Sequence, residues 1–198
     1  TDFGGIPLNV TNTEIYVASY DFGSGGLNWV LNGGGIGVNR VFDLAPTTNG
    51  GVKLATISDG FSQWGTTSYL AKGTVDAVIV EVDPSGALLG LTGYGTPNEQ
   101  TIILNIDIDF NGDTYYAGTF GGSLTGTGWS ATASYGGNDI FIVREATSSS
   151  NSWAFVSGSS QADEPQGLAI TTTGKVVYGG YMIASHTASS YTLTPSNH

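Results

Sequence analysis

The sequence predicts an all-β protein built from three repeated units of four short strands. The first observation is a period of 62 residues, since Gly50, Gly112 and Gly174 each lie in a turn between two strand-like runs. The second is the alternation of apolar and polar residues over 104–110, which indicates a strand with one buried face. The third is that no stretch of ten residues keeps a helical periodicity. A fixed period of this length is typical of repeat architectures.

Each predicted unit opens with a β-rich run led by an acidic residue, Glu14, Asp76 or Asp139. We interpret these acids as capping the strand starts or accepting hydrogen bonds from turn amides. A turn, a second apolar run and a Gly/Ser-rich loop follow, then two runs that flank the periodic glycine, then a looser Ser/Thr/aromatic segment. Together the units form a single β-repeat domain over 14–198, and they span residues 14–75, 76–138 and 139–198.

Two of the periodic turns carry an Asn-Gly pair, at 49–50 and at 111–112. Asn-Gly between two strand-like runs is a strong hairpin signal, because a type I′ turn requires positive φ at both central residues. The sequence therefore predicts type I′ turns at these two places.

Residues 1–13 precede the first unit and are predicted to form a surplus strand. The segment 6–12 matches the closing segment 68–74 of the first unit, yet the third unit already has its own closing segment at 186–195. Such a strand either closes the chain on itself or pairs, as a donor strand, with an exposed sheet edge of a neighbouring molecule. The donor residues in the second case are Ile6, Pro7, Leu8, Asn9, Val10, Thr11 and Asn12.

Composition excludes several classes of function. With five basic residues and a net charge of −11, the chain has little to displace counterions from nucleic acid or to bind an anionic membrane surface. It contains no Cys for a disulfide framework, and no apolar run of about 18 residues for membrane insertion. Only 11% of the residues are charged, and Gly is abundant. This composition favours an exported, extracellular or cell-surface protein of a bacterium or archaeon.

Three segments resemble the bacterial β-propeller repeats known as SBBP repeats. Residues 76–86, DAVIVEVDPSG, resemble that family's DAFVAKLDPSG; residues 106–118, IDIDFNGDTYYAG, resemble IAVDSAGNVYVTG; and residues 136–143, GGNDIFIV, resemble the GGDDAFVAKL opening of the next repeat. The resemblance is clear over 76–143 and fainter elsewhere. It implies four-stranded blades in secreted or surface proteins, without an enzymatic activity of the fold itself. Propellers have four to eight blades, so three units imply part of a larger ring, an oligomer or another stacking of sheets.

One segment is a candidate calcium site. Oxygen-bearing side chains alternate along the second periodic hairpin at Asp107, Asp109, Asn111 and Asp113. Ca²⁺ loops begin in this way, but their later ligand positions carry Tyr and Gly here. The alternative is a hairpin with a polar outer face and no cofactor.

The aromatic residues have two interpretations, an inter-sheet core or a sugar-stacking surface. The residues concerned are Trp29, Trp64, Trp129 and Trp153, with Tyr69, Tyr135 and Tyr191. Asn9-Val10-Thr11 is an N-glycosylation sequon, with Asn9 as the acceptor.

No catalytic motif is present, since the two His residues form no triad and the acidic pairs have no common cleft that the sequence can define. We therefore expect a non-enzymatic structural or adhesive protein. In its most specific form it is an extracellular filament subunit that assembles with copies of itself through residues 6–12. The alternatives are a carbohydrate-binding, lectin-like module and a Ca²⁺-dependent adhesion domain.

Overall fold

A computed structural model describes residues 2–3, 6–8, 13–133, 135–188 and 191–193, called the described residues below. They form antiparallel β-strands and one 3₁₀ turn at Ser149–Asn151, which confirms the all-β prediction. No helix in this part of the chain has the length and hydropathy needed to cross a membrane. In chain order the strands are β1 (Asp2–Phe3), β2 (Ile6–Pro7), β3 (Thr13–Tyr20), β4 (Leu27–Gly35), β5 (Asn39–Pro46), β6 (Val52–Ser58), β7 (Phe61–Trp64), β8 (Thr67–Leu70), β9 (Asp76–Val82), β10 (Leu88–Tyr94), β11 (Thr101–Ile108), β12 (Thr114–Phe120), β13 (Ser123–Gly126), β14 (Trp129–Thr132), β15 (Asp139–Glu145), β16 (Trp153–Gly158), β17 (Glu164–Ile170), β18 (Val176–Tyr181), β19 (His186–Ala188) and β20 (Tyr191–Leu193).

The long strands form two complete four-stranded sheets with the same strand order. One is β5-β6-β9-β10 and the other is β11-β12-β15-β16, to which the hairpin β19-β20 adds two strands. The pair β3-β4 before them and the pair β17-β18 after them are half sheets. The sheets are half a unit out of phase with the units read from the sequence. Each complete sheet takes the last two long strands of one unit and the first two of the next.

Along the chain, a shorter hairpin connects the second strand of each complete sheet to the third. It is β7-β8 in the first sheet and β13-β14 in the second. The hairpin β7-β8 pairs with β4 of the preceding half sheet, with Trp64 opposite Gly33. The hairpin β19-β20 pairs in the same way with β16 of the preceding sheet. These hairpins therefore link consecutive sheets.

The 62-residue period is present in the strand registers as well as in the sequence. The pairing of the first two strands shifts by one residue at Phe42 in β5, at Leu104 in β11 and at Gln166 in β17. Each shift is a β-bulge, which bends the strand and increases its twist. The three strand pairs β5-β6, β11-β12 and β17-β18 therefore bend at the same position of the repeat.

Hydrophobic side chains fill the spaces between consecutive sheets. One cluster joins the half sheet β3-β4 to the first complete sheet through Val17, Leu54 and Val80. The largest cluster lies between the two complete sheets, and a third joins Ala117 and Ile142 to the last half sheet. The order of packing is therefore the order of the chain, with a half sheet at each end.

The hairpins predicted at the two Asn-Gly pairs are confirmed, since β5 pairs with β6 and β11 with β12, but their turn type differs from the prediction. Gly50 and Gly112 have φ of +88° and +85°, but Asn98 is the one described non-glycine residue with positive φ. The type I′ prediction for Asn49-Gly50 and Asn111-Gly112 is therefore wrong. The Gly50 amide donates to the Thr47 carbonyl at 3.0 Å, and the Thr47 amide to the Gly51 carbonyl at 2.9 Å. This is a three-residue loop in which glycine alone takes the left-handed position.

Candidate functional site

In the part of the chain that the structure describes, each of the two half sheets has one strand that pairs on one side only. In the complete sheets the second strand pairs with the third over seven residues, β6 with β9 and β12 with β15. By the period, β18 corresponds to a second strand and β3 to a third strand. Within the described residues β18 pairs with β17 alone and β3 with β4 alone. The candidate functional site is thus formed by the edges of β18 and β3 that correspond to the edges joining β6 to β9.

The outer face of β3 exposes side chains at positions that are buried in the first complete sheet. Tyr16 and Tyr20 are both 54% exposed. The residues 62 positions later, Val78 and Val82, are 1% and 0% exposed, and Val82 belongs to the cluster that joins the preceding half sheet to the first complete sheet. Two large aromatic side chains therefore occupy places that the repeat normally covers with another sheet.

The outer face of β18 has the same property on the other side of the stack. Val177 is 53% exposed and Tyr181 is 43% exposed. The residues 62 positions earlier, Tyr115 and Thr119, are 4% and 7% exposed. These two strands were not predicted as edges, although their alignment with β9 and β12 in the sequence is the signal that indicates it.

The predicted donor segment is described only in part. Ile6 and Pro7 form β2, which pairs with β1 in a short antiparallel hairpin, with Phe3 opposite Ile6. Leu8 follows and is partly exposed. Asn9, Val10, Thr11 and Asn12, with the glycosylation sequon, lie outside the described residues. Donor-strand exchange and glycosylation of Asn9 stay predictions.

The repeated acids at the strand starts have structural partners. Asp76 is fully buried, and it accepts hydrogen bonds from the amides of Lys72 at 2.7 Å and Gly73 at 2.9 Å. Asp139 is likewise buried and accepts from the Tyr135 amide at 3.0 Å. The predicted role of binding turn amides is confirmed for both residues.

Two of the repeated acids, Asp76 and Glu14, accept hydrogen bonds from side chains. The hydroxyl of Tyr69 donates to Asp76 at 2.5 Å, and burial together with this contact raises the pKa of the tyrosine. Glu14 accepts instead from the Asn32 amide group across the β3-β4 pair. The Tyr69 hydroxyl thus ties the hairpin β7-β8 to the start of β9.

The carboxylates of the predicted calcium site point to different partners. Asp109 accepts from the amides of Asn111 at 2.9 Å and Asp113 at 3.1 Å, within its own turn. Asp107 accepts from the amide of Ile170 in β17 at 3.0 Å. The described part of the chain has no group of three His, Cys, Asp or Glu residues placed to hold a metal ion. Calcium binding stays a prediction.

Asp113 is held by β15 and the loop that follows it. Its carboxylate lies 2.5 Å from the Arg144 guanidinium, and it accepts from the Thr147 amide at 2.8 Å. Burial by itself would raise the pKa of Asp113, but the hydrogen bonds from Thr147 and Arg144 outweigh it and lower the pKa below its ordinary value. The carboxylate of Asp113 therefore connects the second periodic turn to β15 and to the loop that follows β15.

The tryptophans divide between core and surface. Trp64 and Trp129 are 0% and 7% exposed, so the core interpretation is confirmed for them. Trp29 packs on Gly86 and donates to the Pro84 carbonyl at 3.0 Å. Trp153, by contrast, is 37% exposed. The side chain of Tyr191 lies outside what the structure describes.

Trp153 lines a cleft that no pattern in the sequence predicts. The cleft has a volume of about 380 Å³ and lies between the turn at 109–113 and the turn at 171–175. Its walls also include Phe110, which is 80% exposed, with Tyr115 and Arg144. Aromatic rings beside a guanidinium and a carboxylate form a surface on which a sugar ring can stack.

Comparisons with known proteins do not assign the chain to a family. No family model matches the sequence, and no curated protein matches it. The resemblance to SBBP propeller repeats therefore stays a prediction.

Proposed function

We propose that this chain is a non-enzymatic, exported structural protein whose copies assemble into an extracellular filament by β-strand exchange. The observation that carries the proposal is that, among the described strands, β3 at one end of the sheet stack and β18 at the other each pair on one side only. An open edge presents unpaired amides and carbonyls, and proteins either cover such an edge or use it for pairing. Different edges at opposite ends favour head-to-tail contacts, which generate rings or filaments.

The alignment of the N-terminal segment with the repeats supports its role as the exchanged strand. By the period, residues 6–12 correspond to 68–74 and also to 192–198. The segment 68–74 includes most of β8, which pairs with β7. The segment 192–198 includes part of β20, which pairs with β19 in the same register, His186 opposite Leu193. Residues 6–12 of one copy therefore match the sequence position that β20 takes beside β19 of another, which is the relation that strand exchange requires.

The composition agrees with a structural role. Only 11% of the residues are charged, so a surface that meets copies of itself has few charges to desolvate. With a net charge of −11, free subunits still repel one another at low ionic strength. We therefore expect assembly to become more efficient as salt is added.

The direct test is removal of residues 1–13. The deleted chain is expected to stay folded, as measured by circular dichroism, and to assemble more weakly than the full chain, as measured by light scattering, while the full chain forms filaments of uniform width in negative-stain electron microscopy. A variant that keeps the length of the segment but carries Asp at Leu8 and Val10 is the matched control, and it should behave like the deletion. Intact filaments from the deleted chain would contradict the exchange of residues 6–12.

A carbohydrate-binding module is the second candidate, and the cleft at Trp153 is the observation that favours it. If a glycan stacks in the cleft, titration with oligosaccharides quenches tryptophan fluorescence, and the W153A variant loses the response. The matched control is F42A, which removes a ring of β5 outside this cleft and should keep the response. An unchanged response in W153A would remove the cleft from consideration.

A further inference from the structure

We propose that the open edge of β18 in one copy pairs with the open edge of β3 in a second copy, so that two molecules share one complete four-stranded sheet. The inference rests on the proposed assembly of copies, and it specifies the two surfaces and their register. Strands β17 and β18 of one molecule supply the first and second strands of the shared sheet. Strands β3 and β4 of the next molecule supply the third and fourth.

The register follows from the complete sheets. Lys53 of β6 lies opposite Glu81 of β9, and their side chains form an ion pair at 3.8 Å. The residue 124 positions after Lys53 is Val177, and the residue 62 positions before Glu81 is Ser19. Val177 of one copy therefore lies opposite Ser19 of the next, in an antiparallel pairing that continues on both sides.

Both half sheets already have the shape that the shared sheet needs. The β3-β4 pair carries a register shift between Ser19 and Tyr20, at the same position as the shift in the β9-β10 pair. The β17-β18 pair carries the bulge at Gln166 that the complete sheets carry at their first strand. Neither half sheet has to change its internal pairing when the two edges meet, so little conformational entropy is lost.

The shared sheet also covers the exposed side chains at both ends. In the complete sheets, the residues equivalent to these four are buried, namely Val78 and Val82 for the tyrosines of β3, and Tyr115 and Thr119 for Val177 and Tyr181. Head-to-tail pairing places a preceding sheet behind the tyrosines of β3 and a following sheet in front of β18. Burial of this apolar surface is the driving force, and the strand pairing supplies the register.

Cysteine cross-linking tests the register. The chain has no Cys, so two single variants, S19C and V177C, are prepared separately, mixed and oxidised. We expect a disulfide-linked dimer on a non-reducing gel, because directly opposite residues meet the distance that a disulfide needs. The matched control is A18C mixed with V177C. A shift of one residue puts its thiols on opposite faces of the sheet, so its cross-linking is expected to be roughly tenfold slower.

Charge exchange tests the same contact without a covalent bond. Val177 is exposed and Ser19 partly exposed, so substitutions there leave the fold intact, which circular dichroism verifies. The variant V177K with S19E recreates the Lys53–Glu81 pair and is expected to assemble. The variant V177K with S19K places like charges opposite each other, and its dissociation constant should be roughly tenfold higher.

The outcomes separate this inference from the filament proposal. Closed rings that cross-link between S19C and V177C would support the shared sheet and contradict the filament. Filaments in which the control mixture cross-links equally well would support assembly and overturn the register. A chain that stays monomeric at high concentration, or a double variant S19C with V177C that closes only within one molecule, would overturn the shared sheet.

Discussion

The carboxylate of Glu145, which is partly buried, accepts a hydrogen bond at 3.0 Å from the indole nitrogen of Trp129, a residue of the core between the two complete sheets. The hydroxyls of Tyr94 and Tyr116 donate to the same carboxylate, each at 3.0 Å. Burial, followed by the charge of Glu145, raises the pKa of Tyr94, and burial also raises that of Tyr116. Both hydroxyls therefore remain protonated donors, and one carboxylate connects three aromatic side chains.

Replacing Glu145 with Ala is expected to lower the free energy of unfolding by about 3 kcal/mol, since three donors lose their acceptor in the core. E145Q keeps one acceptor oxygen and should lose less. Urea denaturation measures both. E81A is the control, because the Lys53–Glu81 pair is partly exposed and its loss should cost less than about 1 kcal/mol. Equal losses of unfolding free energy for E145A and E81A would contradict a stabilising role of the three hydrogen bonds to Glu145.

Replacing Asp113 with Asn removes the negative charge that pairs with Arg144 and is expected to cost about 2 kcal/mol at neutral pH. The folded pKa of Asp113 is lowered, so the stability it contributes is fully present above the unfolded value of about 3.9 and is lost as the pH falls through the folded value. The difference in urea midpoint between the native chain and D113N should therefore shrink in acid. A difference that stays constant down to the acid limit would contradict this linkage.

The G174A variant isolates the cost of the left-handed turn position. Gly174 has φ of +77°, and an added methyl group would meet no atom within 4 Å, so only backbone strain opposes the change. We expect a loss of about 1 to 2 kcal/mol in the free energy of unfolding. Gly90 has equal space and no left-handed φ, so G90A is the control and should be neutral or slightly stabilising. Similar thermal midpoints for the two variants would refute the strain argument.

The G33A variant tests the link between consecutive sheets. A methyl group on Gly33 would overlap the indole of Trp64, which is completely buried. Because the indole cannot move into solvent without exposing the core, we expect a loss of about 3 kcal/mol. The double variant G33A with W64F should recover part of the loss, since the smaller ring leaves space. Thermal denaturation of the two variants decides the point.

The limits of prediction from sequence are clear at particular residues. Asn49 favours more than one hairpin geometry, and the ladder of β5 and β6 selects the three-residue loop over the type I′ turn. Asp113 looks like a metal ligand beside Asp109 in the sequence, but its partner Arg144 lies 31 residues away. Glu145 ends a strand without any local signal of burial, and it is the packing of the two sheets that surrounds it with aromatic donors.

By itself the sequence determined the period, the positions of the long strands and the turn glycines, because side-chain alternation and left-handed glycine are properties of a few neighbouring residues. Only the tertiary structure decided which strands share a sheet, that the units are offset by half, and that β3 and β18 each have a single partner among the described strands. Those facts depend on hydrogen bonds and burial between residues far apart in the chain, and a local pattern has no information about its distant partner.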